Sequence, residues 1–296
     1  MSIDANAKHA VLACLLEATA RKPGNVHPEA SFADLTYGDF VRSAYLIADS
    51  FERGTDWTAG RIVFDAVERT QRALGRNTNL GIVLLLAPLA CVPAAIALRN
   101  GIGDVLARLT QEDAALVYAA IRLANPGGLG RVDREDVAST PTVTLREAMC
   151  LAADRDLIAA QYATGFSTVL AGADRLANSG RFPGRWEEAV IDLHLWLMAK
   201  FPDTLIARKC GREMAQESSR RARTVLEAGW PDGESAPYQM AELDSWLRAD
   251  GNRRNPGTTA DLVAACLFAA FRDGRVEPPP IPDAAKAYLP AEAKDR

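Results

Sequence analysis

Residues 81–98 have the sequence GIVLLLAPLACVPAAIAL, a stretch without a charged or strongly polar side chain. A stretch of this length and composition is long enough to cross a membrane as a helix. However, Pro88 and Pro93 interrupt it, it is rich in alanine, and the chain contains no second stretch like it. We therefore predict a buried central helix that is kinked at the prolines, and we keep a membrane-embedded protein as an alternative.

Helical periodicity extends outward from this stretch along most of the chain. Apolar residues recur at a spacing of three to four along residues 5–20. Similar patterns predict long helices over residues 37–53, 154–178 and 203–228. Because strand-like alternation is nearly absent, the sequence predicts an all-α fold of about a dozen helices around the central apolar helix.

The composition predicts one globular domain that spans residues 1–296, with an irregular tail from about residue 275. A net charge of −4 argues against broad nucleic-acid binding, since such proteins normally carry a basic surplus. The N-terminus lacks a secretion pattern, and the five cysteines are scattered without C-x-x-C spacing. These features predict a cytoplasmic protein with reduced cysteines, and they leave a homo-oligomer open.

Four polar segments between helices are the candidate sites, because a helical protein presents ligand-binding groups in its connections. The first segment has the sequence RKPGNVH over residues 21–27, with Asp34 downstream. Lys22 offers a point charge for a phosphate, and Gly24 allows close approach of the backbone to a ligand. Physical chemistry alone favours a simpler interpretation, in which the segment is a helix stop with a solvated lysine.

The second segment, residues 77–81, has the sequence NTNLG and leads directly into the apolar helix. Asn and Thr are ordinary helix caps, but the free N–H groups and the positive dipole end of a helix start also suit an anion. Asn77, Thr78 and Asn79 are therefore candidates for substrate binding as well as for capping.

The third segment, residues 202–212, combines a capping residue, Asp203 or Thr204, with Arg208 and Lys209 on the following helix. In an acidic protein this is a local cationic patch of the kind that a polyphosphate needs. The alternative is a solvated helix face.

The fourth segment has the sequence NPGTTADL over residues 255–262. Thr258 and Asp261 have the spacing of a capping box. A second interpretation makes this segment a helix start that faces an anion or Mg²⁺, with Asp261 as an oxygen ligand.

In this order, the four segments resemble the triphosphoribosyl-dephospho-CoA synthase family over about residues 20–270. Members of that family typically show K-P-G near the end of the first helix, then an Asp, and an N-T-H-K/R-G segment. A basic segment ending in Gly then follows an Asp, and G-G-x-A-D-L lies near the C-terminus. The counterparts here are residues 22–24 with Asp34, residues 77–81, residues 203–211 and residues 256–262.

The resemblance implies an all-helical enzyme that transfers the triphosphoribosyl part of ATP to the ribose 2′-hydroxyl of 3′-dephospho-CoA and releases adenine. ATP is then a substrate, Mg²⁺ accompanies it, and the partners are small nucleotides rather than nucleic acid or a membrane. Asp34 and Asp261 are the expected Mg²⁺ ligands or catalytic base, and Glu17 is a further base candidate. The expected substrate-binding residues are Lys22, Gly24, Asn25, Asn77, Thr78, Asn79, Arg208, Lys209, Thr258 and Thr259.

The chain departs from the family pattern at several positions. Asn79 and Leu80 replace a His and a basic residue, Phe32 replaces a His, and Pro256 replaces a Gly. These departures resemble a divergent branch that we associate with archaea and with bacteria that make tetrahydromethanopterin. Ribosyl transfer to another acceptor is therefore the first alternative function, and a non-catalytic helical binding module is the second.

Overall fold

The computed structural model describes residues 5–54, 56–127, 130, 132 and 134–289. Within these residues the only β pairing is an isolated bridge between His27 and Ala30, so the predicted all-α fold is confirmed. The helices are α1 (Ala5–Thr19), α2 (Tyr37–Leu46), α3 (Ala48–Phe51), α4 (Ala59–Leu74), α5 (Leu80–Ala90), α6 (Leu98–Ala107), α7 (Gln111–Ala124), α8 (Leu145–Ala152), α9 (Leu157–Thr164), α10 (Ser167–Asn178), α11 (Trp186–Lys200), α12 (Thr204–Cys210), α13 (Arg212–Glu227), α14 (Ala236–Arg248), α15 (Gly257–Arg272) and α16 (Asp283–Lys286).

The apolar stretch forms α5, in which ten of the eleven residues are buried. The prediction of a helix through residue 98 is wrong, because α5 ends at Ala90 and residues 91–97 form turns. Pro88 is accommodated inside α5, whereas Pro93 lies beyond its end. The Arg272 guanidinium donates to the carbonyl oxygens of Val92 at 2.9 Å and Pro93 at 2.6 Å, which replaces the missing helical hydrogen bonds.

A second central helix, α15, is as buried as α5. Thirteen of its sixteen residues are buried, and it packs against α1, α5, α10 and α11. A side chain at Gly172 on α10 would collide with the Cys266 sulfur, so this glycine permits close helix packing. One hydrophobic cluster joins buried residues from Ala7 to Leu289. Among the helices of the described residues, none has the length and apolarity needed to span a membrane.

Three predicted long helices are each divided in two. The break between α9 and α10 falls at Gly165 and Phe166, which both adopt left-handed conformations. The break between α12 and α13 falls at Gly211, where φ is 91°. A residue in such a conformation cannot continue a right-handed helix. The α2–α3 break at Ile47 and the short α16 in the predicted irregular tail are further differences from the sequence expectation.

Candidate active site

A cavity of about 920 Å³ lies between the starts of α5, α12 and α15 and the helices α7 and α8. This volume is near the upper end of small-molecule sites, which are roughly 300–1,000 Å³. All four predicted segments contribute to its walls, although they are far apart in sequence. The predicted site residues that line the cavity are Glu17, Asn25, Asp34, Asn77, Thr78, Asn79, Arg208, Lys209, Thr258 and Asp261.

Lys22 does not line this cavity. Its side chain is fully buried, and its ammonium nitrogen lies 3.0 Å from a carboxylate oxygen of Glu17. The same nitrogen donates to the backbone oxygens of Glu17 and of Ala20, the latter at 3.4 Å. Burial, followed by the charge of Lys22, lowers the pKa of the adjacent His194 well below its ordinary value. The position of Lys22 therefore suits an internal counter-ion to Glu17 and not the predicted phosphate-binding cation.

Gly24 and Thr259 also lie outside the cavity walls. A Cβ atom at Gly24 would lie 2.8 Å from the Cβ of Leu247, and φ is +74° there, so this glycine permits the loop to pack on α14. The Thr259 hydroxyl donates to Asp203 at 2.8 Å. These two residues stabilise the surroundings of the cavity rather than contact its contents.

Asp203 joins the starts of α12 and α15. One carboxylate oxygen accepts from the N–H groups of Leu205 at 2.8 Å and Ile206 at 3.0 Å. The other accepts from the N–H of Thr259 at 2.7 Å and from its hydroxyl. Burial raises the pKa of Asp203, and these hydrogen bonds oppose the shift. The predicted capping box of Thr258 and Asp261 does not form, because α15 begins at Gly257 and Thr258 therefore lies inside the helix.

Arg208 and Lys209 follow on α12 and line the cavity. Arg208 donates to Asp156 at 2.6 Å, and Asp156 in turn caps α9 through the N–H of Ile158 at 2.9 Å. Lys209 donates only a long 3.4 Å hydrogen bond to the carbonyl of Asn252. Both cations are therefore held at the cavity with capacity to bind an additional anion.

Three more cationic side chains line the cavity and were not predicted: Arg76, Arg134 and Arg155. Arg76 directly precedes the NTNLG segment, so its position next to a predicted site was the available signal. Arg155 and Asp156 were not predicted as site residues, because residues 154–178 were predicted to form one helix. In the structure they lie in the connection before α9. Arg134 comes shortly after the sequence GGLG at residues 127–130, and nothing in its sequence context indicated a site.

Asp261 is the most strongly perturbed carboxyl group of the cavity. Burial raises its pKa well above the ordinary value, the charges of Glu17, Asp203 and Asp156 raise it further, and Arg208 lowers it. Its carboxylate lies against Gly81 at the start of α5, where any side chain would collide with it. A carboxyl group with a raised pKa keeps its proton to higher pH than an ordinary carboxyl group, which is a property that a general acid needs.

Asp34 occupies the exposed rim of the cavity. Its two carboxylate oxygens accept from the amide of Asn252 at 3.0 and 2.9 Å, and its carbonyl accepts from Arg76 at 2.7 Å. Within the part of the chain that the structure describes, no three His, Cys, Asp or Glu side chains form a group that could hold a metal ion. Among the described residues, Asp34 and Asp261 thus belong to no three-ligand metal group.

The polar residues of the NTNLG segment have different environments. Asn77 accepts from the N–H of Leu80 at 3.1 Å, and Asn79 donates to Thr70 at 3.0 Å, so both support the start of α5. Thr78 is only 8% exposed, and its hydroxyl has no partner among the described residues. Of these three side chains, Thr78 is the one that has a buried polar atom without a partner among the described residues.

An apolar wall faces the polar residues. It is formed by α7, α8 and the start of α9 and includes Val117, Tyr118, Ile121, Leu145, Ala148, Met149 and Ile158. This wall could not be predicted from the sequence, because its residues have the same apolar periodicity as residues of the protein core. The arrangement suits a ligand that combines charged groups with a flat or aliphatic part.

The fold and the cavity define an all-α protein with a large cavity that combines cationic side chains, an apolar wall and a buried carboxyl group whose pKa is raised. The chain belongs to the ATP:dephospho-CoA triphosphoribosyl transferase (CitG) family, whose model matches residues 4–278. The resemblance inferred from the four segments is therefore confirmed at the level of the family.

Individual relatives agree with this assignment. A probable 2-(5″-triphosphoribosyl)-3′-dephosphocoenzyme-A synthase of Pseudomonas syringae pv. tomato is 33% identical over 105 residues, which is 35% of each chain. A Pseudomonas aeruginosa protein of the same name is 35% identical over 82 residues, which is 28% of this chain and 27% of the relative. The alignments therefore span about a third of these relatives or less.

One solved structure aligns over a larger share of the chain. The crystal structure of a candidate triphosphoribosyl-dephospho-CoA synthase from Archaeoglobus fulgidus superposes with a TM-score of 0.62 and 29% sequence identity. The superposition covers 79% of this chain and 99% of the archaeal one. The similarity therefore extends to most of the fold.

Proposed function

We propose that this protein transfers the triphosphoribosyl group of ATP to 3′-dephospho-CoA and releases adenine. The observation that carries the proposal is the cavity in which Asp261, with its raised pKa, lies among cationic side chains that include Arg208 and Lys209. Membership of the family supports this donor and acceptor over transfer to another acceptor and over a non-catalytic binding module. All five cysteines are free thiols, which agrees with the cytoplasmic location that we propose.

In the proposed reaction the bond between C1′ and N9 of ATP breaks, and a bond forms between C1′ and the 2′-oxygen of the acceptor. The hydroxyl proton passes to a base, and the departing adenine takes up a proton. Positive charge develops on the ribose during this exchange, as it does in glycoside cleavage. The site must therefore supply an acid, a base and groups that hold the triphosphate.

Two carboxyl groups of the cavity suit the acid and the base. Asp261 retains a proton to higher pH than an ordinary carboxyl group, so we assign it the donation of a proton to the departing adenine. Glu17 lines the same cavity and is ion-paired with Lys22, and we assign it the uptake of the hydroxyl proton. Lys22 then acts as a positioning residue that holds the Glu17 carboxylate.

The triphosphate is the largest charge that the site has to bind. We assign it to Arg208 and Lys209, with Arg76, Arg134 and Arg155 as additional cations along the wall. The described residues form no three-ligand metal group, so Mg²⁺ enters in this proposal as part of Mg-ATP. Mg²⁺ commonly uses one or two protein carboxylates together with substrate phosphates, and the exposed Asp34 is our candidate for that contact.

The direct test incubates the protein with Mg-ATP and 3′-dephospho-CoA and measures free adenine together with the mass of the acceptor. Wild-type protein is expected to give adenine and a triphosphoribosylated acceptor in equal amounts. Asp261→Asn is expected to keep Mg-ATP binding and to lose most of the turnover. Arg223→Ala is the matched control, because Arg223 lies on α13 and donates to the Ala199 carbonyl, away from the cavity. Absence of both products with wild-type protein would refute the proposed reaction.

A further inference from the structure

We propose that Asn25 and Asn255 form an amide pair that recognises the 6-amino edge of an adenine ring in the cavity. This inference rests on the proposed function, in which ATP and 3′-dephospho-CoA both carry adenine. It assigns a specificity-determining role to Asn255, which belongs to none of the groups that bind phosphate or transfer protons.

The two asparagines are joined although 230 positions separate them in the sequence. The Asn25 amide nitrogen donates to the Asn255 side-chain oxygen at 2.6 Å, and both residues line the cavity. Asn25 is only 5% exposed, and its own side-chain oxygen has no partner among the described residues. Buried polar atoms are rarely left unpaired in native proteins, because the desolvation of such an atom is costly. A ligand that donates to this oxygen satisfies it.

The pair leaves one hydrogen-bond acceptor and one donor without a protein partner. The Asn25 carbonyl oxygen is buried and unpaired, and the Asn255 NH₂ group donates in none of the hydrogen bonds of the described residues, since the pair uses only the Asn255 oxygen. Exchanging the oxygen and nitrogen of both amides leaves the same combination, one free acceptor and one free donor. Adenine has the complementary edge, since its 6-amino group donates and the adjacent ring nitrogen accepts. Hypoxanthine has an oxygen at position 6, which would face the unpaired carbonyl.

The backbone holds both asparagines in place without a ligand. The carbonyl of Asn25 accepts from Arg248 at 2.6 Å, and the carbonyl of Asn255 accepts from the N–H of Gly257 at 2.8 Å. The first bond fixes the loop after α1, and the second fixes the start of α15. The pair is therefore preorganised, which reduces the entropy that ligand binding would otherwise lose.

The other cavity asparagines do not pair with one another. The Asn77 oxygen accepts from the N–H of Leu80, the Asn79 amide donates to Thr70, and the Asn252 amide donates to both oxygens of Asp34. Asn252 is thus a matched control, because it is also a cavity-lining asparagine but its amide is already engaged by another side chain.

The test compares kcat/KM for ATP and for ITP, its 6-oxo analogue, at saturating acceptor. Wild-type protein is expected to prefer ATP by about ten- to a hundredfold, the range that corresponds to one mismatched buried hydrogen-bonding group. Asn255→Leu and the equal-sized Asn255→Asp both remove the donor to the ring nitrogen and are expected to lower this preference several-fold, while the contact of the 6-oxo group with the Asn25 carbonyl remains. Asn252→Leu is expected to keep the wild-type ratio. A second arm replaces 3′-dephospho-CoA by its deaminated analogue, and identifies which of the two adenine rings the pair binds.

Binding provides a readout that does not depend on turnover. The shift in thermal midpoint is measured with Mg-ATP and with Mg-ITP for wild-type protein and for both Asn255 variants. If wild-type protein catalyses the transfer but discriminates in neither arm, the amide-pair assignment is overturned and the proposed function stands. If it forms no product but its midpoint shift prefers ATP in an Asn255-dependent way, the proposed function fails and the amide pair stands. Equal shifts without turnover contradict both.

Discussion

Two basic segments, residues 21–27 and residues 203–211, were both predicted to bind phosphate, yet the structure uses their cations differently. Lys22 is fully buried against Glu17, whereas Arg208 and Lys209 line the cavity. Lys22 of the first segment pairs with Glu17, which lies about one turn earlier, in α1. In the second, Asp203 is occupied by N–H groups and a hydroxyl, and Arg208 pairs instead with Asp156. The Lys22–Glu17 pair is buried, whereas the Arg208–Asp156 pair is partly exposed at the cavity, so the burial of the ion pair is what separates the two segments.

The largest expected effect comes from breaking the buried pair in the first segment. Lys22→Met leaves the Glu17 carboxylate buried without its counter-ion, which should reduce the free energy of unfolding by about 3–5 kcal/mol. Urea denaturation at neutral pH measures this change. The double variant Glu17→Gln/Lys22→Met should recover much of the loss, because no unpaired charge remains. A Lys22→Met protein of unchanged stability with weakened Mg-ATP binding would instead support the original phosphate-binding prediction.

The corresponding change in the second segment should act on binding rather than on folding. Arg208→Ala removes a charge-assisted contact of about 1.5–3 kcal/mol to the triphosphate, so kcat/KM for ATP should fall roughly ten- to 150-fold. Its ion pair with Asp156 is partly exposed, so the free energy of unfolding should change by no more than about 1 kcal/mol. Steady-state kinetics and urea denaturation on the same protein separate the two effects. An Arg208→Ala protein with a much lower free energy of unfolding but an unchanged kcat/KM would mean that Arg208 is a structural cation and does not bind the triphosphate.

The carboxyl group of Asp261, on α15 beside the second segment, gives the comparison a pH dependence. The pKa of Asp261 is raised in the folded state, so the folded protein keeps this proton after the unfolded chain has released it. The free energy of unfolding should therefore fall as pH rises from the ordinary carboxyl range through the folded pKa of Asp261. Asp261→Asn should remove this fall, and at neutral pH the variant should be more stable than wild type.

Turnover should follow the same titration. If Asp261 donates a proton, kcat should decrease as pH rises through its folded pKa. Asp203→Asn removes a nearby negative charge that raises this pKa, so it should move the alkaline limb of the profile towards lower pH. Measured pH–rate profiles of the wild type and Asp203→Asn provide the check. A limb that moves to higher pH, or not at all, would exclude Asp261 as the titrating acid.

Much of the fold could be predicted because it follows from local patterns. Apolar periodicity located α1 and the start of α5 to within a few residues. The divided helices could not be located in this way. Phe166 is a non-glycine residue in a left-handed conformation, and only tertiary packing, which buries its ring completely, explains that choice. The break at Ile47 likewise carries no Gly or Pro signal.

The candidate site was partly predictable for the same reason. Connections rich in Gly, Asn and Thr indicated where helices begin, and the structure brings those beginnings together around the cavity. Sequence alone could not show that Lys22 is buried, because that depends on the packing of α1 against other helices. It also could not show that Asn25 meets Asn255, since the pair joins segments 230 positions apart. Pairing across long separations determines which polar groups remain available to a ligand.

The prediction with the smallest expected effects makes the same substitution, lysine to arginine, at Lys22 and at Lys209, so it compares the two positions directly. Lys209→Arg keeps a positive charge at a partly exposed position. Among the described residues the Lys209 ammonium group makes one hydrogen bond, the long one to Asn252, so kcat/KM for ATP should stay within about threefold. Lys22→Arg forces a larger, planar group into a fully buried position beside Glu17, and should cost about 1–3 kcal/mol of stability. Urea denaturation and ATP kinetics on the two variants give four numbers that test the assignment. Equal tolerance at both positions would mean that Lys22 is not confined, and the distinction between a structural and a ligand-facing cation would fail.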